Sequence, residues 1–247
     1  MNLIIVDPTE CHPDGTVTVT GDRARHIATV LRKKTGDSVR LGIADGPAGV
    51  GEIVAMTDDT VRCRFQPTDV GPTEPPVDLV VALPRPVMLR RIFTQAAPLG
   101  IARIVCIRTR RVERSYFQSP LLDSTAYRPL LRQGMAQAMV TWQPRVTIVP
   151  RFRQFVESVL PDLLAATPLP LLFHPETADT LATVVQPPLA GRVVAAVGPE
   201  GGWIAHEVET LLAHGFQSVT LGPRILRVDT AIAFIAGQLE LLRHVGR

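Results

Sequence analysis

Two segments near the carboxyl end decide how this chain folds: Val197-Gly198-Pro199-Glu200-Gly201-Gly202-Trp203 and Leu221-Gly222-Pro223-Arg224-Ile225-Leu226-Arg227-Val228-Asp229-Thr230-Ala231. Each follows a short apolar run, Val193 to Val197 and Ser218 to Leu221, and each precedes a helical pattern, Ile204 to His214 and Thr230 to Val245. Strand, turn and helix in that order describe a parallel α/β sheet, in which such turns gather at the carboxyl ends of the strands, where ligands bind. Gly201 and Gly202 carry no side chains, so a ligand can approach the backbone N–H groups that open the next helix. Glycines that merely ease a tight turn look the same, and the first segment alone does not choose between the two uses.

Outward from these turns the same alternation continues. Apolar runs at Val77 to Leu83, Ile101 to Ile107, Val146 to Val149 and Leu169 to Phe173 are separated by helical patterns at Met88 to Ala97, Leu121 to Met139 and Phe152 to Leu164. The fold class is therefore α/β, a mostly parallel sheet covered on both faces. Ile204, Val208, Leu211 and Leu212 fall on one helix face, which is buried. The last helix differs, because Ala231 to Gly237 is apolar all round; it is either central to the domain or a subunit interface.

Gln66 to Pro76 holds four prolines and a glycine with no apolar pattern, a linker that places a boundary near residue 72. Before it, β-branched runs at Thr16 to Thr20, Ser38 to Ala44, Val50 to Met56 and Thr60 to Phe65 surround one helical pattern, Asp22 to Lys33. Gly36 is expected to stop that helix, and Asp45-Gly46 to turn between strands. Residues 1–72 thus read as a small, mostly antiparallel β-barrel with one helix, and residues 73–247 as the α/β domain.

Composition narrows the function. Of 247 residues, 46% are hydrophobic, enough for a sizeable core, yet no run of eighteen uncharged apolar residues occurs, so no membrane span is expected. The start, Met1 to Pro8, reads as a first strand rather than a secretion signal, and Cys11, Cys63 and Cys106 lie outside any C-x-x-C pattern; a cytoplasmic location and no metal site are expected. No Gly-Lys-Ser/Thr supports a P-loop, and neither Gly-x-Gly-x-x-Gly nor Gly-x-Ser-x-Gly is present. His206-Glu207 opens a zincin-like pattern, but Thr210 stands where the second histidine belongs.

The net charge of +3 conceals an asymmetry: residues 73–150 carry eleven arginines against four acidic residues, while the segments on either side are each slightly acidic. Lys33 and Lys34 are the only lysines in the chain, so a general preference for arginine explains the residue type but not the run Arg103, Arg108, Arg110, Arg111 and Arg114. Planar guanidinium groups suit phosphate oxygens, and a polyanionic partner is the natural inference.

Taken together, GPEGG and LGPRILRVDTA closely resemble the SPOUT methyltransferases, and within them the ribosomal RNA uridine-N3 family (RsmE-like). His26 to Arg32 followed by Gly36-Asp37 is similar to that family's PUA-like RNA-binding domain. The resemblance implies a PUA-like barrel over residues 1–72, a SPOUT α/β trefoil-knot domain over 73–247, a homodimer completed through the last helix, and S-adenosylmethionine as cofactor. General rules of chain connectivity would not suggest a knot. Carried over by motif, the cofactor contacts are Phe173, His174 and Pro175 in a first turn, Gly198, Glu200 and Gly201 in a second, and Leu221, Gly222, Arg224, Ile225, Leu226, Arg227 and Thr230 in a third. The RNA contacts implied are Arg25 and Arg32 in the first domain and Arg108, Arg110, Arg111 and Arg114 in the second.

The implied reaction methylates N3 of a uridine in small-subunit ribosomal RNA. N3 must lose its proton, and Arg224 or Arg227 would favour the resulting anion, although either arginine suits a phosphate equally well. Asp229 stands where the family usually has Glu, and is read as a helix cap or as the base that takes the proton. The stretches Gln95 to Gly100 and Gln133 to Arg145 lack the acidic and Glu-Gln motifs the family leads one to expect. Two rival functions share the fold: methylation of transfer RNA or large-subunit RNA, and a non-catalytic RNA-binding role in ribosome assembly.

Overall fold

A computed structural model describes residues 3–166 and 169–245. They form two compact units: Met1–Glu74 with Arg132–Gln143, and Pro75–Leu131 with Pro144–Arg247.

The first unit is built on strands β1 (Ile4–Val6), β2 (Thr16–Thr20), β3 (Ser38–Ile43), β4 (Ala48–Met56) and β5 (Thr60–Pro67), ordered β1-β3-β4-β5-β2. Only the β1–β3 pairing is parallel. In β2 the valines at 17 and 19 turn inward and the threonines outward, the period-2 pattern of a strand with one buried face. These valines pack with Ile4, Val6, Leu41, Ile53 and Val61, and helix α1 (Asp22–Arg25), continued by a π-helical turn over His26–Val30, adds Ala24 and Ile27.

The helix ends earlier than its sequence pattern suggests. Arg32 takes a left-handed conformation (φ 52°) and the Lys33 N–H reaches back to the Ile27 carbonyl, so the chain turns out before Gly36. Gly36 instead occupies the turn that leads into β3.

Residues 132–143 join this unit through specific bonds. Arg132 pairs with Asp7, the Leu3 N–H bonds the Ala136 carbonyl at 3.1 Å, and the Asp45 N–H bonds the Thr141 carbonyl at 2.8 Å. The Asp45 carboxylate in turn accepts the Gln143 N–H at 2.9 Å.

The second unit holds six parallel strands, β6 (Val77–Ala82), β7 (Ile101–Ile107), β8 (Arg145–Val149), β9 (Leu169–Phe173), β10 (Val193–Val197) and β11 (Gln217–Val219), ordered β11-β9-β10-β6-β7-β8. β6 and β10 are buried along their whole length, which is why they read as unbroken apolar runs. Between the strands lie α2 (Pro86–Gln95), α3 (Ser124–Ala138), α4 (Phe152–Gln154) running through a second π-helical turn (Phe155–Val159) into α5 (Leu160–Ala165), α6 (Leu181–Val184), α7 (Ala205–Ala213) and α8 (Val228–His244).

β9 is flanked by both strands that follow it, β10 on one side and β11 on the other, so the turns leaving those two strands diverge and a crevice opens above β9. At the opposite end of the sheet the Asp78 carboxylate, fully buried, accepts hydrogen bonds from Arg103 and Arg192. Burial alone would raise its pKa, but the two guanidinium groups more than offset this and hold it below the usual carboxylate value. Among the described residues no helix is long and apolar enough to cross a membrane.

Candidate active site

Three turns meet above β9. The first and third are joined by backbone bonds, His174 N–H to the Val219 carbonyl at 3.0 Å and Thr220 N–H to the Asp179 carbonyl at 2.7 Å. The second is closed on itself by the Gly202 N–H bonding the Pro199 carbonyl, and is tied to the first by the Trp203 indole N–H, which reaches the Phe173 carbonyl at 3.4 Å. Trp203 is buried, and Gly198 lies beneath it: a Cβ at 198 would stand 2.9 Å from the indole nitrogen. Gly198 is therefore demanded by the tryptophan, a packing constraint on the turn rather than a need for a positive φ.

The turns enclose a cleft of about 300 Å³, within the range of small-molecule sites. Phe173, His174 and Pro175 line it from the first turn, Gly198, Glu200 and Gly201 from the second, and Leu221, Gly222, Arg224, Ile225 and Leu226 from the third. Arg227 and Thr230 do not line it. Sequence reasoning missed several other lining residues, among them Arg111, Glu176, Trp203 and Ala231. Trp203 and Ala231 lay inside the quoted motifs, whereas Arg111 carried no sign that it would leave the arginine run for this cleft. The wall mixes apolar side chains, backbone polar groups, the carboxylates Glu176 and Glu200 and the guanidinium groups of Arg111 and Arg224, a lining suited to a ligand with an apolar body and charged groups of both signs.

The two arginines of the third turn have different fates. Arg224 is exposed at the cleft, with no hydrogen bond or ion pair to its side chain among the described residues. Arg227 pairs with Asp229 at 3.1 Å, and Arg91 of α2 pairs with the same carboxylate at 3.0 Å. Asp229 is buried and is the second residue of α8, whose N-cap is Arg227; it accepts the Thr230 N–H at 3.1 Å. Burial favours its neutral form, but Arg91, Arg227 and the Thr230 amide outweigh that and lower its pKa. His174 accepts the Glu176 N–H on Nδ1, which leaves Nε2 as the ring's donor.

The remaining basic candidates are spread over both units. In the first, Arg25 pairs with Asp22 and Asp59, while Arg32 is exposed at the helix end. In the second, Arg108, Arg110 and Arg114 have no side-chain partner among the described residues. Arg103 is spent on Asp78, and Arg111 donates to the Gly201 carbonyl at 2.6 Å and the Trp203 carbonyl at 3.3 Å. Glu207, buried, accepts the Arg110 N–H at 2.7 Å and the Ile204 N–H at 3.1 Å, so its place beside His206 serves this loop. Burial pushes the thiols of Cys63 and Cys106 up to about 11 and about 12, and neither is a nucleophile at neutral pH.

Comparison with known proteins agrees with this architecture. A family model described as an RNA methyltransferase domain matches residues 72–240, and one described as an RNA methyltransferase PUA domain matches residues 19–66. The chain is 31% identical to the ribosomal RNA small subunit methyltransferase E of Treponema pallidum (strain Nichols), over 94% of this chain and 87% of that protein. The crystal structure of a ribosomal RNA small subunit methyltransferase E from Neisseria gonorrhoeae bound to S-adenosyl methionine superposes with a TM-score of 0.78 at 22% identity, covering 97% of this chain and 98% of that one. A probable rRNA-methyltransferase from Porphyromonas gingivalis superposes with a TM-score of 0.82 at 18% identity, each chain covered completely. The fold is that of the SPOUT class preceded by a PUA-like unit.

Proposed function

We propose that this chain, which belongs to the ribosomal RNA small subunit methyltransferase E family of RNA methyltransferases, transfers a methyl group from S-adenosylmethionine to N3 of a uridine in small-subunit ribosomal RNA. The observation that carries this reading is the meeting of the three carboxyl-end turns in one cleft, with Arg224 exposed at it. Phe173, Val197 and Leu226 would hold the apolar part of the cofactor, and the backbone of the three turns its polar groups. When bound, S-adenosylmethionine supplies an electrophilic methyl group.

The chain's own residues prepare the acceptor. Loss of the N3 proton spreads negative charge over O2 and O4 of the uracil, and Arg224 would stabilise that charge without acting as base, since a guanidinium stays protonated. Asp229 is a poor base, because two arginines hold it ionised with a pKa below the usual range. Arg227 would act indirectly, fixing the end of the third turn through Asp229. N3 lies on the pairing edge, so the target must be unpaired or flipped, and Arg108, Arg110 and Arg114 offer cations for the surrounding phosphates.

The reading includes a homodimer in the cytoplasm. Supporting it, Ile225 at the cleft is 82% exposed, and Phe234 and Leu241 on α8 are 46% and 63% exposed, apolar surface that a second copy would cover. The test is incubation with labelled S-adenosylmethionine and unmethylated small-subunit ribosomal RNA, followed by nucleoside mapping. Label on 3-methyluridine is expected; label on another base, or none, rejects the assignment.

A further inference from the structure

Arg111 sits in the basic loop after β7, yet its bonds lead away from that role. Its guanidinium donates to the Gly201 and Trp203 carbonyls, both in the second turn of the cleft and 90 and 92 residues away in sequence. Its aliphatic stem lies over Gly201: a Cβ there would stand 3.3 Å from the Arg111 Cδ and 3.4 Å from its Cβ. One reason for glycine at 201 is thus that an arginine lies on it. Beside Arg111, the Arg110 N–H is held by the buried Glu207 carboxylate at the start of α7, and Val112 is buried. The loop backbone is tethered on one side of Arg111 and packed on the other, while the side chains of Arg108, Arg110 and Arg114 remain free among the described residues.

We infer that Arg111 is a positioning residue for the cofactor cleft, a strap that holds the Gly201–Trp203 turn in shape, and not one of the RNA-contacting arginines. The inference rests on the cleft being the S-adenosylmethionine site. Charged donors form the stronger class of hydrogen bond to carbonyls, and here one nitrogen, Nη1, draws two carbonyls of the turn to a single point. A phosphate that recruited Nη1 would have to displace both carbonyls.

The experiment measures S-adenosylmethionine affinity by calorimetry and RNA affinity by filter binding for the full chain and three variants. Arg111→Ala is expected to weaken S-adenosylmethionine binding about tenfold, equivalent to about 1.4 kcal/mol, and to raise its KM, while RNA affinity stays within about threefold. Arg110→Ala is expected to do the reverse. Arg111→Lys keeps the charge but puts a shorter stem and a tetrahedral ammonium in place of the planar fork, so it should weaken cofactor binding by a smaller factor and leave RNA affinity intact. If Arg111→Ala fails to fold, judged by its melting curve, the lysine variant decides alone. Cofactor affinity equal to that of the unaltered chain, or a loss confined to RNA affinity, overturns the inference. An unaltered chain that binds no S-adenosylmethionine sinks the functional reading instead.

Discussion

Asp229 shows how a single residue's role depends on its partners. Its position before Thr230-Ala231 is compatible with a cap or a base, and the structure makes it a buried anion shared by Arg91 and Arg227. Both arginines are half exposed, which screens the pairs, so Asp229→Asn should cost about 1–2 kcal/mol of stability. Methylation at neutral pH should fall less than about tenfold, whereas a general base contributes about 10² to 10⁴; a hundredfold loss of kcat would restore the base role. Asp78 is the stronger case, because its carboxylate is fully buried and its partners are less exposed than those of Asp229. Asp78→Asn removes the buried charge that Arg103 and Arg192 both bond and should cost about 3–5 kcal/mol, on the order of 10 °C in Tm for a chain of this size. The pH dependence follows in sign: with the folded pKa depressed, the Asp78 contribution is present above the unfolded value near 3.9 and is lost as pH falls through the folded one. Denaturant titrations below about pH 4 should show the unaltered chain losing stability more steeply than the variant.

At the scale of elements, the turns were legible because their signals are local. Glycine and proline between an apolar run and a helical pattern need no knowledge of the rest of the chain. What each glycine answers to was not local: Gly198 answers to Trp203 and Gly201 to Arg111. Gly198→Ala should displace the tryptophan, weakening S-adenosylmethionine binding by about tenfold or more with little loss of secondary structure, measurable by calorimetry and circular dichroism. The first half of α8 reads as apolar all round, yet Ile232 and Ile235 are buried while Phe234 faces outward, as does Leu241 further along. On the proposed dimer, Phe234→Glu should shift the chain to monomer in light scattering without lowering the stability of the monomer, and an unaltered chain that is already monomeric would reject that interface. The early end of the first helix escaped a periodicity reading because a π-helical turn and a left-handed arginine break the α-helical register, leaving Val30, which falls at helical spacing from Ile27, exposed.

Over the whole molecule, charge carries the functional signal. Of the eleven central arginines, Arg91, Arg103, Arg111 and Arg132 are committed to partners, whereas Arg108, Arg110 and Arg114 of the loop after β7 and, at the cleft, Arg224 have none among the described residues. Three phosphate contacts to a single strand contribute about −2 to the slope of log affinity against log salt. Replacing Arg108, Arg110 and Arg114 together should reduce that slope by about 2, which filter binding across a salt series would measure; an unchanged slope would place the RNA elsewhere.

The residues alone determined the class of the fold, the order of its strands and helices along the chain, and the glycine-proline turns at the carboxyl ends of β10 and β11, because apolar period and turn chemistry act over a few neighbouring residues. Only the tertiary structure decided which arginine is spent and which is free, and that residues 132–143 return to the first unit. Arg91 and Asp229 are 138 positions apart, Arg192 and Asp78 are 114 apart, and Arg111 and Gly201 are 90 apart. Such partners are chosen by strand order, which sets distant segments side by side and leaves no trace in the spacing of either.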